Sequence, residues 1–249
     1  MISLKGVQKT FNRGKANEVM ALRGIDLEIP ERDFVVIVGS NGSGKTTLLN
    51  TISASVLPSA GEIFFSGENV TTLPEHQRSR WVARVFQNPL SGTAPDLSIL
   101  DNFRLAALRT SAKSLKIGVD EKFRNAVRDK VATLGLGLEN KINQPIGTLS
   151  GGQRQALTLL MSVMDECKIL LLDEPTAALD PRSAEVVMKT ADDLIKQYSL
   201  TAILITHNLK DAFRYGNRLI QMAEGQIVKD IPSSAKQSLS EIELYSWFM

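Results

Sequence analysis

Nine consecutive residues, Gly39-Ser40-Asn41-Gly42-Ser43-Gly44-Lys45-Thr46-Thr47, have the types and spacing to hold a chain of phosphates. Glycines at 39, 42 and 44 permit backbone conformations that other residues resist, so several N–H groups can converge on one anion. Lys45 offers a formal charge to the β- and γ-phosphates, and the Thr46 hydroxyl can bind Mg²⁺. A second pair of interest is Asp173-Glu174, which ends the apolar run Ile169-Leu170-Leu171-Leu172. A carboxylate ending a buried strand stands at the sheet edge where α/β folds bind ligands. Asp173 is expected to hold Mg²⁺ through water. Glu174, turned away by strand alternation, is expected to orient and deprotonate an attacking water. A third device is Ser150-Gly151-Gly152-Gln153, where a hydroxyl, open backbone N–H groups and a helix start make another anion site. These residues imply binding and hydrolysis of a nucleoside triphosphate.

The elements that must position them are legible around each motif. Phe34 to Val38 is an apolar strand running into the glycine-rich loop, and Leu48 to Ile52 continues a helix out of it. Upstream, two β segments flank the turn-rich stretch 12–17, the second alternating from Leu22 to Ile29 and stopped by Pro30. Strands are also expected at 61–67 and 81–86. Between about 90 and 150 the pattern turns helical. Ser98 with Asp101 predicts a capped helix through Leu108, and Asp120 caps a helix to Leu134 that Gly135 can end. The stretch Ser111 to Gly118 reads as a polar connector. From 150 onward helix and strand alternate again: a helix from Gly152 towards Asp165, the strand 168–173, a helix over 183–198, the strand 201–206 and a short helix to Tyr215. Strands at 218–222 and 226–230 form a hairpin about Glu224-Gly225. The tail, 238–249, reads as a capped amphipathic helix ending in Trp247-Phe248-Met249, packed on its own domain.

Composition narrows the function classes. The 249 residues are 43% hydrophobic and 22% charged, ordinary for a globular protein with a sizeable core. A net charge of +2 makes no electrostatic case for nucleic acid. The single cysteine, Cys167, is expected to be a small buried side chain in a reducing cytosol. The N-terminus alternates like a strand and lacks the apolar core of a signal peptide, and no apolar run approaches the ~20 residues that span a bilayer. If the protein works at a membrane, another chain provides the membrane part.

Leu149-Ser150-Gly151-Gly152-Gln153, taken with the other two motifs in their order, resembles the ATP-binding-cassette (ABC) ATPase family over about residues 2–231. The resemblance implies an α/β fold: a P-loop NTPase (RecA-like) core with a mostly parallel central sheet, an antiparallel β subdomain and an inserted α-helical subdomain. One ABC ATPase domain then spans 1–249, with core segments 1–89 and 151–231, helical insert 90–150 and tail 232–249. Phe11 matches the aromatic that stacks on adenine, a position more often tyrosine. Gln87 matches the glutamine that touches Mg²⁺ and senses the membrane partner, and Ala178-Leu179-Asp180 the loop that communicates between two ATP sites. His207, ending the strand 201–206, matches the histidine that contacts the γ-phosphate. His76, in a polar stretch, matches nothing.

The family resemblance also implies partners and a place. Two cassettes face each other head to tail, so that Ser150 to Gln153 of one close over ATP held by Lys45 of the other. Such a homodimer drives transmembrane permease subunits, met near Asn88 to Pro95, from the cytoplasmic face of the bacterial inner membrane. ATP and Mg²⁺ are the implied cofactors, and no nucleic acid is involved. The runs 87–95, 135–140, 150–161 and 215–218 are similar to a bacterial subgroup of stand-alone ATPases. Its members serve a branched-chain-amino-acid-type permease and a substrate-binding protein contacted only through that permease. Small solutes, including aromatic amino acids, are the substrates this subgroup suggests, although its members often carry histidine where this chain has Pro175. Three alternatives are an ATPase for export or lipoprotein release, a soluble cassette acting on nucleic acid or ribosomes, and a non-hydrolysing regulator. The last is disfavoured by Glu174 and His207 together, and the nucleic-acid reading by the single cassette without a coiled-coil insert.

Overall fold

The computed structural model describes residues 1–108 and 118–247. The chain begins with β1 (Ile2–Phe11), β2 (Val19–Ile29), β3 (Phe34–Val38), α1 (Lys45–Ser53), β4 (Ala60–Phe65), β5 (Glu68–Asn69) and α2 (Glu75–Arg78). It continues through β6 (Val82–Val85), α3 (Ile99–Ala106), α4 (Glu121–Ala132), α5 (Gly151–Ser162), β7 (Ile169–Asp173) and α6 (Pro181–Gln197). Last come β8 (Thr201–Ile205), α7 (Leu209–Arg214), β9 (Arg218–Ala223), β10 (Gln226–Ile231), α8 (Ser233–Lys236) and α9 (Glu241–Ser246). These elements divide into two compact units, 1–78 with 200–249, and 79–199.

In the first unit β3 lies between β8 and β9, parallel to both, and β10 runs antiparallel beside β9. All five β3 residues are buried, which is why the strand is a continuous apolar run rather than an alternating one. A separate antiparallel sheet has the order β2-β1-β4-β5. It pairs Ile2 with Ile29 and Leu4 with Leu27, so the alternating residues Leu22, Ile25, Leu27 and Ile29 all fall on the buried face. β2 starts three residues before the expected Leu22, because β1 extends to Phe11 and pairs it with Val19.

The one-turn helix α2 has a clear purpose. The fully buried Arg78 donates from Nη1 to the carbonyls of Thr51 and Ile52, from Nη2 to Thr71 and from Nε to Leu73. It thereby bonds carbonyls in the last turn of α1, where helix geometry supplies no N–H four residues on within the helix. Burial pushes its pKa down to about 10. Lys236 of α8 makes a similar closure, donating to the carbonyls of Tyr215 and Gly216 just beyond α7. The tail docks on the β9–β10 hairpin: the Lys229 ammonium lies 4.2 Å from the Trp247 ring centroid, and Gln221 Nε2 donates to the Trp247 carbonyl.

In the second unit β6 and β7 pair in parallel, Val82 with Ile169 through Val85 with Leu172. α5 packs on α6, and α3 and α4 pack near it. Ser98 accepts from the Asp101 N–H and Asp120 from the Phe123 N–H, so both expected helix starts form. Val127 and Val131 supply the buried face of α4. The expected connector 111–118 lies, except for Gly118, outside the described residues, as do Phe248 and Met249. Cys167 departs from expectation. It is half-buried in the turn between α5 and β7, because the chain leaves the core at Asp165 and returns only at Ile169. Among the described residues no helix is long and apolar enough to cross a membrane.

Candidate nucleotide-binding and hydrolysis residues

The first unit assembles the phosphate loop. β3 ends at Val38 and α1 begins at Lys45, with Gly44 as its N-cap at φ +98°. A Cβ on Gly39 would stand 2.2 Å from the Met222 carbonyl oxygen, and one on Gly44 2.6 Å from that of Ala21. Only glycine fits either place. Lys45 is buried and folds back over the loop, donating to the Gly39 carbonyl at 2.7 Å and the Ser40 carbonyl at 3.0 Å. Its ammonium therefore marks the centre of the loop. Ser43 is buried, whereas Ser40, Asn41, Gly42 and Thr46 are exposed and Thr47 half-buried. The Gly225 N–H donates to the Ser43 carbonyl, so the hairpin turn props the loop from behind.

Two further expected residues belong to this unit. Phe11 ends β1 with 36% of its surface exposed, which rules out ordinary core packing for the ring. Lys9 lies 5.1 Å from the Phe11 ring centroid. His207 is exposed just past β8, and Asn208 after it caps α7 by accepting from the N–H groups of Lys210 and Asp211. Asp211 gave no signal in the sequence. Its pKa is raised, chiefly by burial, against the opposing pull of Arg214 and His207.

The second unit gathers the carboxylates and the glycine-rich turn at 150. Asp173 is the last residue of β7 and is buried. Its Oδ2 accepts from Nη2 of Arg84 at 2.7 Å. Glu174 lies beyond the strand in the left-handed region at φ +46°. A backbone turn, not strand alternation, therefore separates its carboxylate from that of Asp173. Gln87, exposed two residues beyond β6, brings Nε2 to 3.5 Å from Glu174 Oε2, the outer limit of a hydrogen bond.

Ser150 and Gln153 form a reciprocal cap on α5. The Gln153 N–H donates to Ser150 Oγ, and the Ser150 N–H to Gln153 Oε1. Arg154 then ties the preceding turn down, donating to the carbonyls of Ile146, Gly147 and Leu149. Gly151 is exposed, whereas Gly152 is buried against α6, where a Cβ would meet Ser183 Cβ at 2.4 Å. Asp180 caps α6 by accepting from the Ser183 N–H, and its pKa is lowered first by the Ser183 hydroxyl and next by that N–H. Ser150, Gly152 and Gln153 thus each have a structural role besides any ligand contact. The Ser-x-x-Gln spacing carries that signal in the sequence.

Taken one by one, the Thr46 hydroxyl of the first unit and the Gln87 side-chain oxygen and Asp173 carboxylate of the second are hard oxygen donors of the kind that Mg²⁺ takes.

Comparison with known proteins extends these findings. Residues 22–177 match the family model described as ABC transporter. The chain is 37% identical over 250 residues to a tyrosine transport ATP-binding protein of Clostridioides difficile (strain R20291), covering 100% of this chain and 98% of that one. It is 32% identical over 235 residues to the lipoprotein-releasing system ATP-binding protein LolD 1 of Caulobacter vibrioides, covering 93% and 96%. A solved dimeric structure of the ATP-binding cassette MJ0796, in a post-hydrolysis state bound to ADP and Pi, superposes with a TM-score of 0.80. The two chains are 29% identical, and the match covers 94% of this chain and 99% of that one.

Proposed function

This chain belongs to the ABC transporter family of ATP-binding proteins, and from that premise we propose that it powers import of a small solute through a separate permease. The observation carrying the import reading is the likeness, end to end, to a tyrosine transport ATP-binding protein. An amino acid is accordingly the favoured solute. The likeness to a lipoprotein-releasing ATPase favours a second reading, in which the same ATPase drives release of a lipoprotein.

In the proposed reaction Phe11 stacks on adenine. Residues 39 to 47 wrap the phosphates, and the Lys45 ammonium exchanges the carbonyls of Gly39 and Ser40 for phosphate oxygens. Thr46, Gln87 and, through water, Asp173 would hold Mg²⁺, which would supply positive charge to offset the charge that develops on the phosphate oxygens. Glu174 takes a proton from water as its oxygen bonds to the γ-phosphorus and the bond to the ADP oxygen breaks. His207 steadies the γ-phosphate. Residues 150 to 153 act on the ATP of a second, head-to-tail copy, and Asp180 links the two sites. Closing around ATP moves the segment 88–95 against the permease at the cytoplasmic membrane face. The core, helical and tail segments 1–89 with 151–231, 90–150 and 232–249 work as one ATPase domain.

Glu174→Gln tests the hydrolytic assignment. Phosphate release is expected to fall at least ~100-fold with ATP binding retained, and the variant should sediment as a dimer in Mg-ATP. Undiminished turnover, or a monomer at saturating Mg-ATP, would overturn it. Uptake of tyrosine by proteoliposomes holding the co-purified permease tests the direction. Release of a lipoprotein in its place would favour the second reading.

A further inference from the structure

The residue beside Asp173 is unusual in its setting. Arg84 and Asp173 are the two ends of an ion pair whose side chains are only 10% and 7% exposed. Their meeting follows from strand register. β6 and β7 are parallel with Arg84 opposite Leu171, so Arg84 shares a face with Leu171 and, two residues on, with Asp173. The guanidinium also has an aromatic neighbour. Its carbon lies 4.7 Å from the centroid of the Phe86 ring, within range of a cation–π contact. Phe86 in turn is anchored, because the buried Gln155 of α5 donates from Nε2 to its carbonyl at 2.8 Å. The positive charge is therefore fixed in place by three elements of one unit.

A buried ion pair is weak evidence for stability, since taking both charges out of water offsets most of their attraction. The geometry assigns this one a different purpose. Mg²⁺ demands near-octahedral geometry, so a carboxylate that serves it works best in a single orientation. Partners that hold a ligating carboxylate perform that service, and losing them typically weakens metal binding 10- to 100-fold. We propose that Arg84 is a positioning residue. It fixes the Asp173 carboxylate at the end of β7 and thereby sets the affinity for the metal that accompanies the nucleotide. The proposal rests on the reading that Asp173 serves that metal.

The test is binding of Mn²⁺ as a Mg²⁺ probe, read by electron paramagnetic resonance in the presence of ADP. Thermal melts and ADP binding in EDTA are measured alongside. Arg84→Met should weaken Mn²⁺ binding about tenfold while metal-free ADP binding stays unchanged. Arg84→Lys should recover part of the loss, because an ammonium keeps the charge but not the planar fork. Wild-type Mn²⁺ affinity in folded Arg84→Met would overturn the proposal, as would an equal loss of metal-free ADP binding. If Arg84→Met does not fold, folded Arg84→Lys decides by the same criterion. Asp173→Asn separates the two readings. Wild-type Mn²⁺ affinity there removes the role of Asp173 itself. A loss there with none at Arg84→Met removes only the role of Arg84.

Discussion

At Glu174 the backbone and the chemistry meet in one residue. A non-glycine side chain at φ +46° carries a steric penalty, and such strain persists where surrounding structure over-determines it. Its effect is to end the strand abruptly after Asp173 and set two neighbouring carboxylates to different tasks. The penalty is measurable apart from activity. Glu174→Ala and Glu174→Gly both lack the carboxylate and should hydrolyse ATP equally poorly. The glycine variant should be more stable than the alanine variant by about 1 kcal/mol, since only glycine adopts this conformation without strain. Denaturant unfolding of the two proteins gives that difference. An alanine variant as stable as the glycine one would mean that the turn relaxes.

Among the elements, the contact between α5 and α6 makes the sharpest demand on sequence. Gly152, in the first turn of α5, lies directly against Ser183 near the start of α6, with no room for a methyl group. The glycine is needed there for helix packing whatever it offers a phosphate. Gly152→Ala should cost ~1–3 kcal/mol by overpacking. Adding Ser183→Gly removes the colliding Cβ, so the double variant should regain most of that loss despite the poor helix propensity of glycine. Additive losses in a double-mutant cycle of melting experiments would show that the contact is not the cause. Because Asp180 caps the same α6, this contact fixes the turn at 150 relative to the loop at 178–180.

For the molecule as a whole, global stability should carry the mark of Lys236. Burial lowers its pKa to about 8 from 10.5, so between those values the unfolded chain binds more protons than the folded one. The sign follows: this group adds stability as pH rises from about 8 towards 10.5, and none of that gain is present below about pH 8. Comparing unfolding of the wild type and Lys236→Met across this range isolates the effect. The wild type should gain on the variant as pH rises. A constant difference would mean that the carbonyls of Tyr215 and Gly216 hold the charged form as well as water does.

Residue types alone settle what depends on neighbours along the chain. The strand–loop–helix about Lys45, the caps at Ser98 and Asp120 and the hairpin at Glu224-Gly225 are set by residues within a few positions of one another. Their local geometry follows from residue type. The three motifs and their order were legible for the same reason, and with them the family. Tertiary structure decided which distant groups share a face or lack room. The register of β6 against β7 gives Asp173 its Arg84, the approach of α6 makes Gly152 a packing residue, and α2 brings Arg78 beneath the end of α1. Cys167 reads as a core residue by type, yet it sits half-buried in a turn. Such outcomes depend on distances between segments far apart in sequence, and residue type alone carries no measure of those distances.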